Sequence, residues 1–125
     1  VFYVQYAYAR IWSILNKAKE KDAFYADENL PFDLQYLGDA EKKLVSVLCR
    51  FPDVVGDAAS NQDPQRISTY LEQIAGLFQS YYSGGNKVIT DDKQSTSLKL
   101  MVCRCFKQVI ENGLQLLGIH APERM

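Results

Sequence analysis

Apolar residues recur along this chain at the three- and four-residue intervals that place side chains on one face of an α-helix. From Phe2 to about Ala26, the residues Val4, Ala7, Ile11, Ile14, Leu15 and Ala18 form one stripe with no Gly or Pro to interrupt it, which predicts a long first helix. The polar stretch that runs into Pro31 ends that unit. Gly38 and Asp39 can cap a second helix, in which Leu44, Val45, Leu48 and Phe51 keep the helical interval, and Pro52 stops or kinks it. A short helix follows over 53–60, carried by Val54, Val55, Ala58 and Ala59. Asp63 is a good N-cap and Pro64 a good first helical residue for the next, whose seam is Ile67, Leu71, Ile74, Leu77, Phe78 and Tyr81 up to Gly84 and Gly85. After a loop pinned by Val88 and Ile89, a last helix presents Leu98, Met101, Val102, Cys105, Phe106, Val109 and Ile110. It continues through Gly113 to Leu116 and Leu117, where Gly118 closes it. The expected architecture is all-α: a helical bundle of about four long helices and one short helix, forming one domain over residues 1–125.

Composition narrows this picture. A chain of 125 residues with 47% hydrophobic content buries one core and is too short for two ordinary domains. No apolar run approaches the roughly 20 residues that span a bilayer. The opening VFYVQYAYAR lacks the order of a secretory leader, so no membrane role and a cytoplasmic location are expected. The chain starts without Met inside a periodic pattern, which suggests part of a longer protein. Cys49, Cys103 and Cys105 form no disulfide framework and, with a single His120, too few ligands at suitable spacing for zinc; three ordinary, partly buried thiols are expected.

The net charge of −1 conceals an uneven distribution. Arg10, Lys17, Lys19 and Lys21 near the start, and Lys93, Lys99, Arg104 and Lys107 near the end, flank an acidic middle that runs from Asp27 and Glu28 to Asp63. These two basic segments could meet as one positive face or remain separate solvated helix faces.

Catalysis is hard to assemble from these residues. His120 stands in a terminal tail, no Ser or Cys has an evident base partner, and no phosphate-binding or paired-His motif occurs. The aromatic set on the first helix is more informative: Tyr3, Tyr6 and Arg10 share a face about 100° around from the core stripe. Two tyrosine rings beside a guanidinium suit an unstacked RNA base, the rings for its π-face and the arginine for phosphate or a base edge. Tyrosines at such positions also cover core edges, and the residues alone leave both readings open. At the end of the fourth helix Tyr82 points to the side of the seam and is the better ligand candidate. Tyr81 continues the seam and is the better core candidate, though both stand as candidate contacts. Tyr8 and Trp12, on the other flank of the first helix, read as packing.

The stretch YVQYAYAR, Tyr3 to Arg10, resembles the start of the anticodon-binding domain of arginyl-tRNA synthetases, and VIENGLQLLGIHAPERM, Val109 to Met125, resembles that family's closing segment. Between them FPDVV at 51–55, ISTYL at 67–71, Leu77-Phe78 and Tyr81-Tyr82 fall in the family's order, so the resemblance covers nearly the whole chain. It implies a DALR-type helical bundle at the C-terminal end of a class I synthetase. The implied partners are the anticodon stem-loop of tRNA(Arg) and the catalytic domain of the same chain, and a monomer is expected. It also implies that the positions of Tyr3 and Tyr6 receive anticodon bases, with Tyr82 or its neighbour a third contact. The ATP and Mg²⁺ used to join arginine to tRNA would be handled by sequence missing here, and no cofactor is expected within these residues. Two positions depart from the family pattern: Tyr8 replaces a usual His, and Ser97 a common Arg. Two other readings remain: the DALR-type domain of another synthetase, such as the larger subunit of the glycine enzyme, and a helical protein-interaction module with exposed tyrosines.

Overall fold

The computed structural model describes residues 2–27, 30, 32–85 and 87–125. Among these residues every regular element is helical: α1 (Phe2–Lys21), α2 (Asp39–Leu48), α3 (Phe51–Ser60), α4 (Gln65–Ser83) and α5 (Lys93–Leu116). Two single 3₁₀ turns, Ala23–Ala26 and Leu34–Tyr36, lie between α1 and α2. Three long helices and two of ten residues replace the expected four and one.

The core lies where α1, α4 and α5 pack together. Ala7, Ile11 and Ala18 of α1 have no solvent exposure, and the two alanines let the neighbouring helices approach closely. Phe78 and Phe106 meet at the centre of the α4–α5 contact, ring centroids 5.4 Å apart. Each is fully buried, and burial of a side chain of this size is worth about 1.5–3 kcal/mol. Gly113 is required at the other end of that contact, because a Cβ there would stand 2.6 Å from Leu71 Cδ2. The sequence shows it only as a weak helix residue.

The shorter helices are attached through specific groups. Tyr70 of α4 donates its hydroxyl to the carbonyl of Val47 at 2.8 Å, supplying a partner to the last turn of α2. Its ring stacks on Phe51 of α3 at 5.9 Å. At the start of α2, Glu41 folds back to accept the Gly38 N–H at 3.2 Å, and a Cβ at Gly38 would collide with that carboxylate.

Several expected boundaries shift for local reasons. Asp22 accepts the Phe24 N–H and ends α1 at Lys21, so residues 23–26 form a separate turn. Pro52 neither stops nor kinks a helix but sits in the first turn of α3, where its missing N–H costs nothing. Asp63 caps α4 as expected, accepting the Gln65 N–H at 3.2 Å across Pro64. Asp92 caps α5 by accepting from Gln94 and Ser95, a cap that hydrophobic spacing does not reveal. Leu77 and Cys105, expected in buried stripes, are exposed. Cys49 is exposed as well, whereas Cys103 is buried and the pKa of its thiol is pushed up to about 12 by desolvation. Pro31 and Glu28 lie outside the described residues.

Candidate nucleic-acid interface

Tyr6, Arg10 and Tyr82 are brought together on one side of the bundle. The long uninterrupted α1 sets the spacing of the first two, and α4, packed against it, delivers Tyr82 from its last turn. The Arg10 guanidinium lies over the Tyr82 ring, 5.5 Å from its centroid. Tyr82 is fixed from behind by an edge contact with Phe78 at 6.4 Å, so the core holds one aromatic wall of the surface. Tyr6 is 50% exposed, which leaves its ring available to a ligand instead of sealing the interior.

The remaining wall comes from the last residues of the sequence. Gly118, at φ +73, allows the Ile119 N–H to reach the Leu114 carbonyl and the Gly118 N–H that of Gln115, a Schellman turn that reverses the chain. Gln5 then donates to the His120 carbonyl at 2.8 Å and ties the tail to α1. Glu123, Arg124 and Met125 thereby come to line, with Tyr6, Arg10, Lys17 and Tyr82, a cleft of about 520 Å³. Among the side chains that line it, Arg10, Lys17 and Arg124 carry positive charge and Glu123 negative charge. A basic cleft walled by two tyrosines has the features that receive a single-stranded nucleotide: flat surfaces for a base and cations for phosphate.

Tyr3 is also exposed, at 48%, but it lies a turn away from this cleft, with its hydroxyl over α4 at Gly76. Tyr81 does not belong to the surface. It is buried and faces the carboxylate of Glu41 and the thiol of Cys103. Burial first, and Glu41 second, push its hydroxyl pKa above the ordinary tyrosine value. Adjacent residues on a helix point about 100° apart, which separates the inward Tyr81 from the outward Tyr82.

Of the two arrangements left open for the basic segments, a single shared face is not what surrounds the tyrosines. Along α5, Lys93 pairs with Asp22 at 3.3 Å and Arg104 donates to the Tyr25 carbonyl at 2.9 Å, both at the far end of α1. Lys107 lies over the Trp12 ring, on the flank of α1 away from Tyr6. Arg10 and Lys17 of the first basic segment do line the cleft, and Arg124 supplies the charge that α5 does not. Lys17, Glu123, Arg124 and Met125 are what sequence reasoning misses as site residues: Lys17 shows only as part of a basic segment, and the Gly118 signal marks a helix end, but no periodicity tells where the tail goes next.

The two departures from the family pattern are both structural. Tyr8 is buried and donates its hydroxyl to Glu111 at 3.0 Å, and Ser97 is buried in the first turns of α5.

Residues 4–125 match the family model described as the DALR anticodon binding domain. This chain belongs to the DALR anticodon binding domain family. Over its full length it is 43% identical to the arginine–tRNA ligase of Geotalea daltonii and 40% identical to that of Anaeromyxobacter sp. (strain Fw109-5). It spans about a fifth of the length of these curated relatives, 22% and 21%. A solved structure, the Thermus thermophilus arginyl-tRNA synthetase, superposes with a TM-score of 0.87 at 32% identity, over 98% of this chain and 21% of that one. The DALR domain is thus all-α here as in that structural relative. Among the described residues no helix is long and apolar enough to cross a membrane.

Proposed function

We propose that this DALR domain belongs to an arginine–tRNA ligase and receives the anticodon loop of tRNA(Arg) in the Tyr6–Arg10–Tyr82 cleft. One observation carries the reading: a half-exposed tyrosine, a second tyrosine and their arginine line one positively charged cleft. The shared length and identity with arginine–tRNA ligases support the choice of tRNA as ligand. Tyr6 offers its ring to a splayed base, Tyr82 forms the opposite wall, and Arg10, stacked on that wall, directs its remaining donors to phosphate or a base edge. Tyr3, further along the same face, lies beside the path of the flanking nucleotides.

The parent protein would be a monomeric cytoplasmic class I synthetase, with arginine, ATP and Mg²⁺ handled by a catalytic domain outside these residues. This domain would contribute no bond chemistry, only position and selection.

The test is Tyr6→Ala in the full-length enzyme, with tRNA(Arg) affinity measured by filter binding. Loss of a stacked base should cost about 1–3 kcal/mol, roughly 5- to 150-fold in Kd. An unchanged Kd in a correctly folded variant removes Tyr6 from the site.

A further inference from the structure

Beyond the ring cleft, and separated from it by Tyr82, a second recess of about 420 Å³ opens between α1 and the loop that follows α4. It shares Ile14, Lys17 and Tyr82 with the cleft already described, so the two form one continuous surface. Its chemistry differs. Val88 and Ile89 give it an apolar floor and wall, while Lys17 and Lys87 stand at its edge.

The recess has fixed walls. Gly85, at φ +87, turns the chain back toward α1 with the Lys87 N–H donated to its carbonyl at 3.1 Å. Val88 is then buried against the core, and Lys99 of α5 donates its ammonium to the Lys87 carbonyl at 3.0 Å. These contacts hold the outer wall without help from a ligand, and a preformed wall lowers the ordering cost of binding.

We propose that this recess is a second nucleotide subsite. It would take the base that adjoins the one held between Tyr6 and Tyr82, with Lys17, common to both recesses, holding the phosphate that links them. The inference rests on the RNA-loop reading of the first cleft. Three observations favour a nucleotide over a protein segment: continuity with the basic cleft, an aromatic ring shared as a partition, and lysines at the rim of an apolar floor. The volume lies within the roughly 300–1,000 Å³ of small-ligand pockets. Val88 and Ile89 offer no base-specific hydrogen bond, and the Ser83 hydroxyl, which can donate or accept, does not discriminate strongly, so the subsite should hold a base mainly by contact area and accept several base types.

The experiment uses the full-length enzyme and a series of tRNA(Arg) transcripts, each carrying one abasic nucleotide in the anticodon loop. Wild-type enzyme should lose affinity at two neighbouring positions. Ile89→Asp should weaken binding of intact tRNA by about tenfold and abolish the penalty at one of those positions only. Tyr6→Ala should abolish the penalty at the other. Retention of the Tyr6-dependent position in Ile89→Asp serves as its folding control, and Ile89→Ser provides a milder variant should that control fail. Lys17→Ala should lower the slope of log Kd against log salt by about one phosphate contact. If Ile89→Asp leaves Kd unchanged, or weakens all transcripts equally, the second subsite is overturned while the first cleft stands. If Tyr6→Ala is also without effect, the RNA-loop reading falls with it.

Discussion

Arg10 shows how one residue joins the two walls of the cleft. Its guanidinium lies over Tyr82, which orients the planar group and leaves its edge donors free for a ligand. A lysine would keep the charge but lose both the planar stack and the forked donors. Arg10→Lys in the full-length enzyme should therefore weaken tRNA binding by about 1 kcal/mol, with the salt dependence of binding unchanged. A Kd equal to that of the wild type would mean instead that Arg10 acts only as a point charge. The contrast between Tyr81 and Tyr82 belongs to this scale as well. Consecutive tyrosines look alike in composition, yet helix geometry sends one toward Glu41 and Cys103 and the other toward solvent and Arg10.

Among the helices, the close approach of α4 and α5 at Gly113 sets a limit that helix propensity alone would contradict. Gly→Ala in a helix interior gains about 1 kcal/mol from propensity. At Gly113 the new Cβ would meet Leu71 Cδ2 at 2.6 Å and Cδ1 at 2.9 Å, and Leu71 is itself enclosed. Overpacking of this kind costs about 1–3 kcal/mol, so Gly113→Ala should be net destabilising by about 1 kcal/mol in urea denaturation. Leu71→Val, which opens space opposite, should reduce that penalty in the double variant. The elements also show what can be read before folding. The stripe of α1 and the seams of α4 and α5 repeat over many turns, so periodicity alone identifies these helices and most of their buried faces. The Tyr6–Arg10 pair is legible for the same reason, because both residues lie on one helix. Leu77 and Cys105 escape this logic because each sits at the edge of its stripe, where a small rotation decides exposure. What periodicity lacks is information between elements. The cation–π contact to Tyr82, the fold-back of 119–125 and the pairing of Lys93 with Asp22 depend on how separate helices are set against each other.

For the molecule as a whole, three tyrosines make stability depend on alkaline pH. Tyr8, Tyr70 and Tyr81 all have raised pKa values in the folded chain, chiefly because burial disfavours the phenolate. The unfolded chain ionises them near the ordinary value of 10.0, so unfolding releases protons above that pH. Their contribution is fully present below about pH 10 and is lost as pH rises beyond it. The urea midpoint should thus fall between about pH 9 and about pH 11, and fall less steeply in Tyr81→Phe. Equal slopes in both proteins would assign the loss to other groups.

The reversal at Gly118 has a bearing on how this protein is handled in the laboratory. Because residues 123–125 line the cleft, any bulky group attached to them would crowd the very opening an assay is meant to probe. Labels placed on the exposed Ser60, the last residue of α3, or on Asn61 just after it, avoid that obstruction.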